Sequence, residues 1–264
     1  MNNTLSVPWP IPPEVAMPEP LQTIFLWLTI VAAVAILVIA GFMSVKRRSA
    51  VPVLMALGGF TSIIMESVVT FLGHAVHPPS GQIMLFEAAS RAIPWHIALG
   101  YMAGFGLFYL TLYPAFVEGR LRSAQIWKTC LITAALYFVG EAYPVSHGLW
   151  VYYDYQPMQI WHGTAPLTWN FLNACCMMVS ATVIFVALPY LKNLLSQLSI
   201  LLLAPVGAYM GHMGAGFPMY NAMNSTLPTW AIEISGALSI VLALVLIWLC
   251  DVVLQSAQNQ RAAA

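Results

Sequence analysis

Glu66, Glu141 and Glu233 stand within or at the ends of long apolar runs, where a carboxyl finds little water. A charged residue at the middle of a membrane helix costs roughly 2.5–3.5 kcal/mol on insertion scales, so such side chains turn inward and either pair or do chemistry. The stretch EAYPVSHGLWVYYDYQPMQIWHGTAPLTWNFLN, from Glu141 to Asn173, adds Trp150, Trp161, Trp169, Tyr143, Tyr152, Tyr153, Tyr155, His147, His162 and Asp154, with no Lys or Arg. Acids, imidazoles and ring faces can protonate an apolar molecule, hold developing positive charge and take a proton back. The same aromatics suit the belt that Trp and Tyr form at headgroup level, so composition alone leaves both uses open.

The elements that would position these groups are membrane helices. In 264 residues, 60% are hydrophobic and 7% charged, against about a quarter charged in soluble domains. Net charge is zero, which gives no reason to expect a nucleic-acid partner. Cys130, Cys175, Cys176 and Cys250 fall in apolar runs without CxxC spacing and read as small core residues. Residues 1–20, rich in proline and lacking a basic flank, read as an irregular, retained extracytoplasmic lead-in.

A spanning helix needs about 20 apolar residues. Runs at 21–43, 51–72, 94–116, 124–141, 169–190, 194–211 and 229–253 predict an all-α, polytopic, seven-transmembrane-helix bundle, one domain over 21–254 with a cytoplasmic tail at 255–264. Lys46, Arg47, Arg48, Arg120, Arg122, Lys128, Lys192 and Arg261 fall in every second connection. Basic residues stay cytoplasmic, which places the N-terminus outside and the C-terminus inside. All six histidines then lie on the outer side, with Arg91 the one basic residue there.

Helical spacing groups Gly59, Ser62, Glu66 and Thr70; Thr133, Tyr137 and Glu141; Asn170, Asn173, Cys176 and Ser180; and Pro205, Tyr209 and His212 on inward stripes. Small and polar stripes also serve plain helix packing. The candidate catalytic set is Glu66, Glu141, Glu233 and Asp154, with Glu66 as proton donor and Glu141 as base or cation stabiliser. The candidate substrate contacts are Trp95, Tyr101, Tyr137, Trp150, Tyr152, Tyr153, Trp161, Trp169, Asn170, Asn173, Tyr209 and His212. HxxxH, HExxH and CxxC are absent, and Met213, Met219 and Met223 beside His212 suit packing, so neither metal nor cofactor is expected. A DDxxD run, a lysine in the seventh run and visible inverted repeats are also absent.

Three segments resemble a known family. Arg91, Ile93, Pro94 and Trp95; Tyr152, Tyr153, Gln156 and Pro157; and Pro166, Leu167, Trp169 and Asn173 are similar to motifs of the integral-membrane spirocyclase AveC-like family. A more distant likeness is to small membrane-bound terpene cyclases. The resemblance covers the middle third of the chain and implies cyclisation of a lipophilic polyketide- or isoprenoid-like substrate; it brings no residue-by-residue catalytic set. The expectation is a cofactor-free, multi-pass membrane cyclase of a bacterial inner membrane, its partners a lipophilic small molecule and membrane lipids. The competing readings are a non-enzymatic lipid- or isoprenoid-binding receptor or transporter, and a His/Glu-liganded metalloenzyme.

Overall fold

In hydrocarbon the backbone polar groups have only one another as partners, and a helix satisfies them within one segment. The computed structural model describes residues 10–161 and 164–263, and it is mostly helical. The helices are α1 (Glu19–Arg47), α2 (Val51–Thr61), α3 (Glu66–Leu72), α4 (Trp95–Val117), α5 (Ser123–Ser146), α6 (Leu167–Ala187), the short α7 (Leu194–Gln197), α8 (Ile200–Met223) and α9 (Thr229–Ala263). A 3₁₀ turn, Ser62–Met65, joins α2 to α3 into one run that ends in the segment carrying Glu66. Among the described residues, 6 helices are long and apolar enough to cross a membrane. The remaining expected span, the fourth in chain order, is α5, which has 24 residues but a more polar sequence, with Gln125, Lys128 and Glu141.

Three boundaries differ from those expected. Gly211, Gly214, Gly216 and Pro218 look like breakers, yet α8 continues through them to Met223, so His212 lies well inside the helix. Glycine is tolerated in a membrane helix where it lets another backbone approach: a Cβ at Gly211 would sit 2.7 Å from Cys176 Cα, and one at Gly207 2.6 Å from Ser180 Cα. Instead of releasing a separate tail at 255, α9 stays helical to Ala263, and Gln258 on it bonds the backbone of Leu121 through both amide atoms. The lead-in gives way to helix at Glu19, and residues 1–9 lie outside the described part.

The bundle is centred on α6, whose buried residues include Leu172, Cys175, Met178, Ala181 and Phe185. Ser180 ties three helices, sharing a hydrogen bond with Tyr109 Oη at 2.5 Å and donating to Ala204 O at 2.7 Å. Trp27, Phe42, Val139, Leu202 and Ile234 are exposed on the outside of the bundle, as suits a lipid-facing surface.

The connections at the other end from Arg47 and Glu118 are not purely irregular. Two antiparallel ladders interrupt the all-α pattern: β1 (Ala75–Val76) with β4 (Val151–Tyr152), and β2 (Met84–Ala88) with β3 (Arg91–Pro94). In the first, Ala75 faces Tyr152 and Val76 faces Val151. The same register carries His77 to Trp150, their rings 6.2 Å apart, and His74 to Tyr153, their rings stacked at 5.6 Å. The buried Gln22 of α1 fastens the intervening loop, donating to Gly81 O and accepting from Ile83 N.

Candidate active site

The α2–α3 run places Glu66 six residues before its end, about 9 Å along the axis at ~1.5 Å per residue. Both carboxyl oxygens are engaged. Tyr101 Oη, from α4, donates to Oε2 at 2.6 Å, and His77 Nε2, from the loop after β1, lies 2.9 Å from Oε1. Glu141, near the end of α5, accepts from Tyr152 Oη at 3.1 Å, with Trp150 beside it. Burial pushes the Tyr152 hydroxyl well above its ordinary pKa, and the neighbouring Glu141 carboxyl pushes the same way, so Tyr152 remains a donor.

Both carboxyls line one cavity of about 200 Å³. Tyr101, Phe105, Tyr137, Trp150, Tyr152 and Trp169 supply aromatic walls; Thr70, His77, His96, Asn173 and Cys176 supply polar or small ones; and Phe25 and Thr29 of α1 close a side. Trp169 stands edge-on to Tyr152 at 5.3 Å and to His212 at 5.5 Å. Its place depends on Gly73, where a Cβ would meet the indole at 2.3 Å. His77 Nδ1, His96 Nε2 and Trp169 Nε1 are buried without a hydrogen-bond partner among the described residues, although burying an unpaired polar atom is costly. All three belong to residues of the cavity wall.

Glu66 and His77 form a carboxylate–imidazole dyad. A carboxylate on Nε2 fixes the tautomer with its proton there, which leaves Nδ1 as a lone pair able to accept a proton. His77 carries no motif in the sequence; its signal is the register opposite Trp150, which requires the ladder to be seen. His96, at the start of α4 beside the Pro94–Trp95 motif, was equally inconspicuous.

Other expected site residues lie elsewhere. Glu233 accepts from Tyr155 Oη and from Met158 N at 3.0 Å, fastening the 153–158 loop to α9 away from the cavity. Asp154, in a left-handed backbone conformation (φ 57), leaves its carboxyl half exposed, 3.4 Å from His74 Nδ1. Strand alternation sends Tyr152 inward and Tyr153 the other way, where it meets Arg91 Nη2 at 2.5 Å. Burial lowers the Arg91 pKa, which Tyr153 opposes, and the guanidinium also bonds Ala75 O, so this cation holds β1 instead of facing solvent. Trp161 is exposed against Phe138, and Trp95 is partly exposed against Phe60. Asn170 is buried, donating to Pro166 O at 3.3 Å without lining the cavity. His212 packs behind Trp169 and bonds Tyr220 Oη through Nδ1 at 2.9 Å. Tyr209 is 40% exposed because the buried ridge of α8 runs Ala204, Ala208, Gly211, Ala215 and Met219, leaving 209 about 100° past Ala208. His162 lies outside the described residues.

Gln156 gives the loop its shape by donating to the carbonyls of Gly73, His74 and Tyr153. The residues of the three resembling segments therefore meet around this end of the bundle, with Tyr152, Trp169 and Asn173 in the cavity wall and Arg91 and Gln156 bracing it. The chain gives no match to a protein-family model and no significant match to a curated protein or a solved structure. Among the described residues no three of His, Cys, Asp and Glu gather as a metal-holding group.

Proposed function

We propose that this chain is an integral-membrane cyclase working by acid/base catalysis on a lipophilic, polyketide- or isoprenoid-like substrate. The observation that carries the reading is a pair of hydrogen-bonded carboxyls, Glu66 and Glu141, in the wall of one aromatic-lined cavity. Glu141 delivers a proton to a carbonyl, hydroxyl or alkene of the substrate. The resulting positive charge lies against the faces of Tyr101, Trp150 and Trp169. His77 Nδ1, oriented by Glu66, removes a proton from the attacking hydroxyl or the adjacent carbon. This reverses the division of labour expected from depth alone, because Glu66 already receives a donor on each oxygen and is built to accept. The resemblance of the Arg91–Trp95, Tyr152–Pro157 and Pro166–Asn173 segments to the spirocyclase family supports the same class of reaction.

The test uses protein purified from its native membrane. Lipophilic molecules extracted from a Glu66→Gln preparation are expected to include a species that the unaltered protein converts to an isomer of equal mass or to one lighter by a water. Return of every extracted species unchanged would make the chain a binder of its ligand.

We further propose that α5 also crosses the bilayer, making seven spans with the N-terminus and the cavity on the outer side. The support is the gathering of Arg47, Arg48, Arg120, Arg122 and Lys128 at the opposite end. In a background lacking the four cysteines, Cys placed at Gly148 or Ser225 is expected to react with an impermeant thiol reagent applied outside, and Cys at Ser123 is not. Reaction at Ser123 alone would invert the orientation.

A further inference from the structure

A second cavity of about 420 Å³ runs between α4 and α5 on the outside of the bundle. It shares Gly100, Tyr137 and Glu141 with the cavity described above, so the two adjoin along these residues. Its walls are apolar or small, with Leu107, Ile132 and Leu136 exposed at its rims, where lipid would lie. Thr111 and Thr129 mark its far end, but their hydroxyls are spent on the carbonyls of Leu107 and Gln125 in their own helices. From Glu141 back to Thr129 the groove extends about 18 Å at ~1.5 Å per residue, room for an alkyl chain on the order of a dozen methylenes.

We propose that this groove holds the apolar chain of a single-chain, uncharged amphiphile whose oxygenated end reaches Glu66, His77 and Glu141; the proposal rests on the reading of the first cavity as the substrate site. The polarity of the two arms fixes the direction. At one end the wall carries the Glu66 and Glu141 carboxyls with the Tyr101 and Tyr152 hydroxyls, and at the far end the hydroxyls of Thr111 and Thr129 are both bonded within their own helices. Charge excludes the commoner lipids: among the described residues neither cavity has a Lys or Arg in its wall, while the Glu66 carboxylate faces the polar arm. A phosphate or fatty-acid carboxylate would be repelled there, whereas a hydroxyl or ketone pairs with what is present. The substrate accordingly enters sideways from the bilayer between α4 and α5.

The probe is hexadecan-1-ol carrying a diazirine near its far end and an alkyne tag, added to the full chain in phosphatidylcholine nanodiscs, photolysed and mapped by mass spectrometry. The expected result is labelling of residues 104–111 and 129–136 at least about tenfold above the lipid faces of α1 and α9, competed by plain hexadecan-1-ol. The matching palmitate probe should label the groove at least about tenfold less. Gly140→Phe puts a ring into the groove from a position where an added Cβ meets nothing within 4 Å, with an unchanged melting temperature as the check on folding. It should lower groove labelling by at least about tenfold, the loss of contact for a few methylenes. Even labelling of all outward faces, equal labelling by palmitate, or indifference to Gly140→Phe would each overturn the proposal. Groove labelling without turnover would sink only the cyclase reading, and unimpaired turnover in Gly140→Phe would sink only the groove.

Discussion

On the proposed mechanism, Glu66→Gln is expected to lower turnover at least about 100-fold, the low end of what a positioned acid or base contributes, and to leave the fold intact. The amide keeps the size of the side chain and can still accept from Tyr101 Oη, which lies 2.6 Å from Oε2. What it loses is the negative charge behind His77. If its NH₂ turns toward Nε2, that nitrogen must become the acceptor, and the proton moves to Nδ1, where the lone pair was needed. His77→Gln should therefore cost as much as Glu66→Gln, and the double variant should be no worse than either, since two residues acting as one unit are not additive. Tyr101→Phe keeps the dyad and should cost less. The measurement is product per folded protein in nanodiscs, with melting temperature as control. Near-normal turnover in Glu66→Gln would remove the dyad from the chemistry, and additive losses would dissolve it into two independent groups.

Gly211→Val should destabilise the bundle by about 1–3 kcal/mol or more, the cost of forcing atoms into a packed core. A Cβ there would lie 2.7 Å from Cys176 Cα and 3.0 Å from Cys175 O, both backbone atoms that cannot swing aside. Gly207→Val should behave alike, with Ser180 Cα at 2.6 Å. Because Cys176 and Asn173 line the cavity from α6, pushing α8 outward also reshapes the site. Gly41→Ala is the control, since an added Cβ there meets nothing within 4 Å, and the helix should gain slightly from the better propensity of alanine. The readout is the thermal unfolding midpoint in detergent. An unchanged midpoint for both valine variants would mean that the two helices do not rest on these glycines.

The membrane class was legible because insertion in hydrocarbon acts on composition. Parts of three inward stripes were legible because helical period acts on spacing: Glu66, Thr70, Tyr137, Glu141, Asn173 and Cys176 all reach the first cavity wall, whereas Tyr209 of the fourth faces outward. Residues placed by loops were not. The β2–β3 hairpin turns through Ala89 and Ser90, both at positive φ, without the Asn-Gly or Asp-Gly pair that usually announces such a turn. Asp154 and Glu233 were grouped with the site by residue type, but their contacts are to His74 and to the Tyr155–Met158 loop. For the converse reason His77 could not be ranked, since its meaning comes from a strand pairing between residues some 75 positions apart.

That pairing joins the hydrogen-bond partners of both carboxyls. His77, which serves Glu66, directly follows β1, and Tyr152, which serves Glu141, belongs to β4; two residue pairs join them. On the proposed chemistry, a ligand that displaced the 148–158 loop would disturb both partners through the ladder, so the acid and the base would lose their positions together.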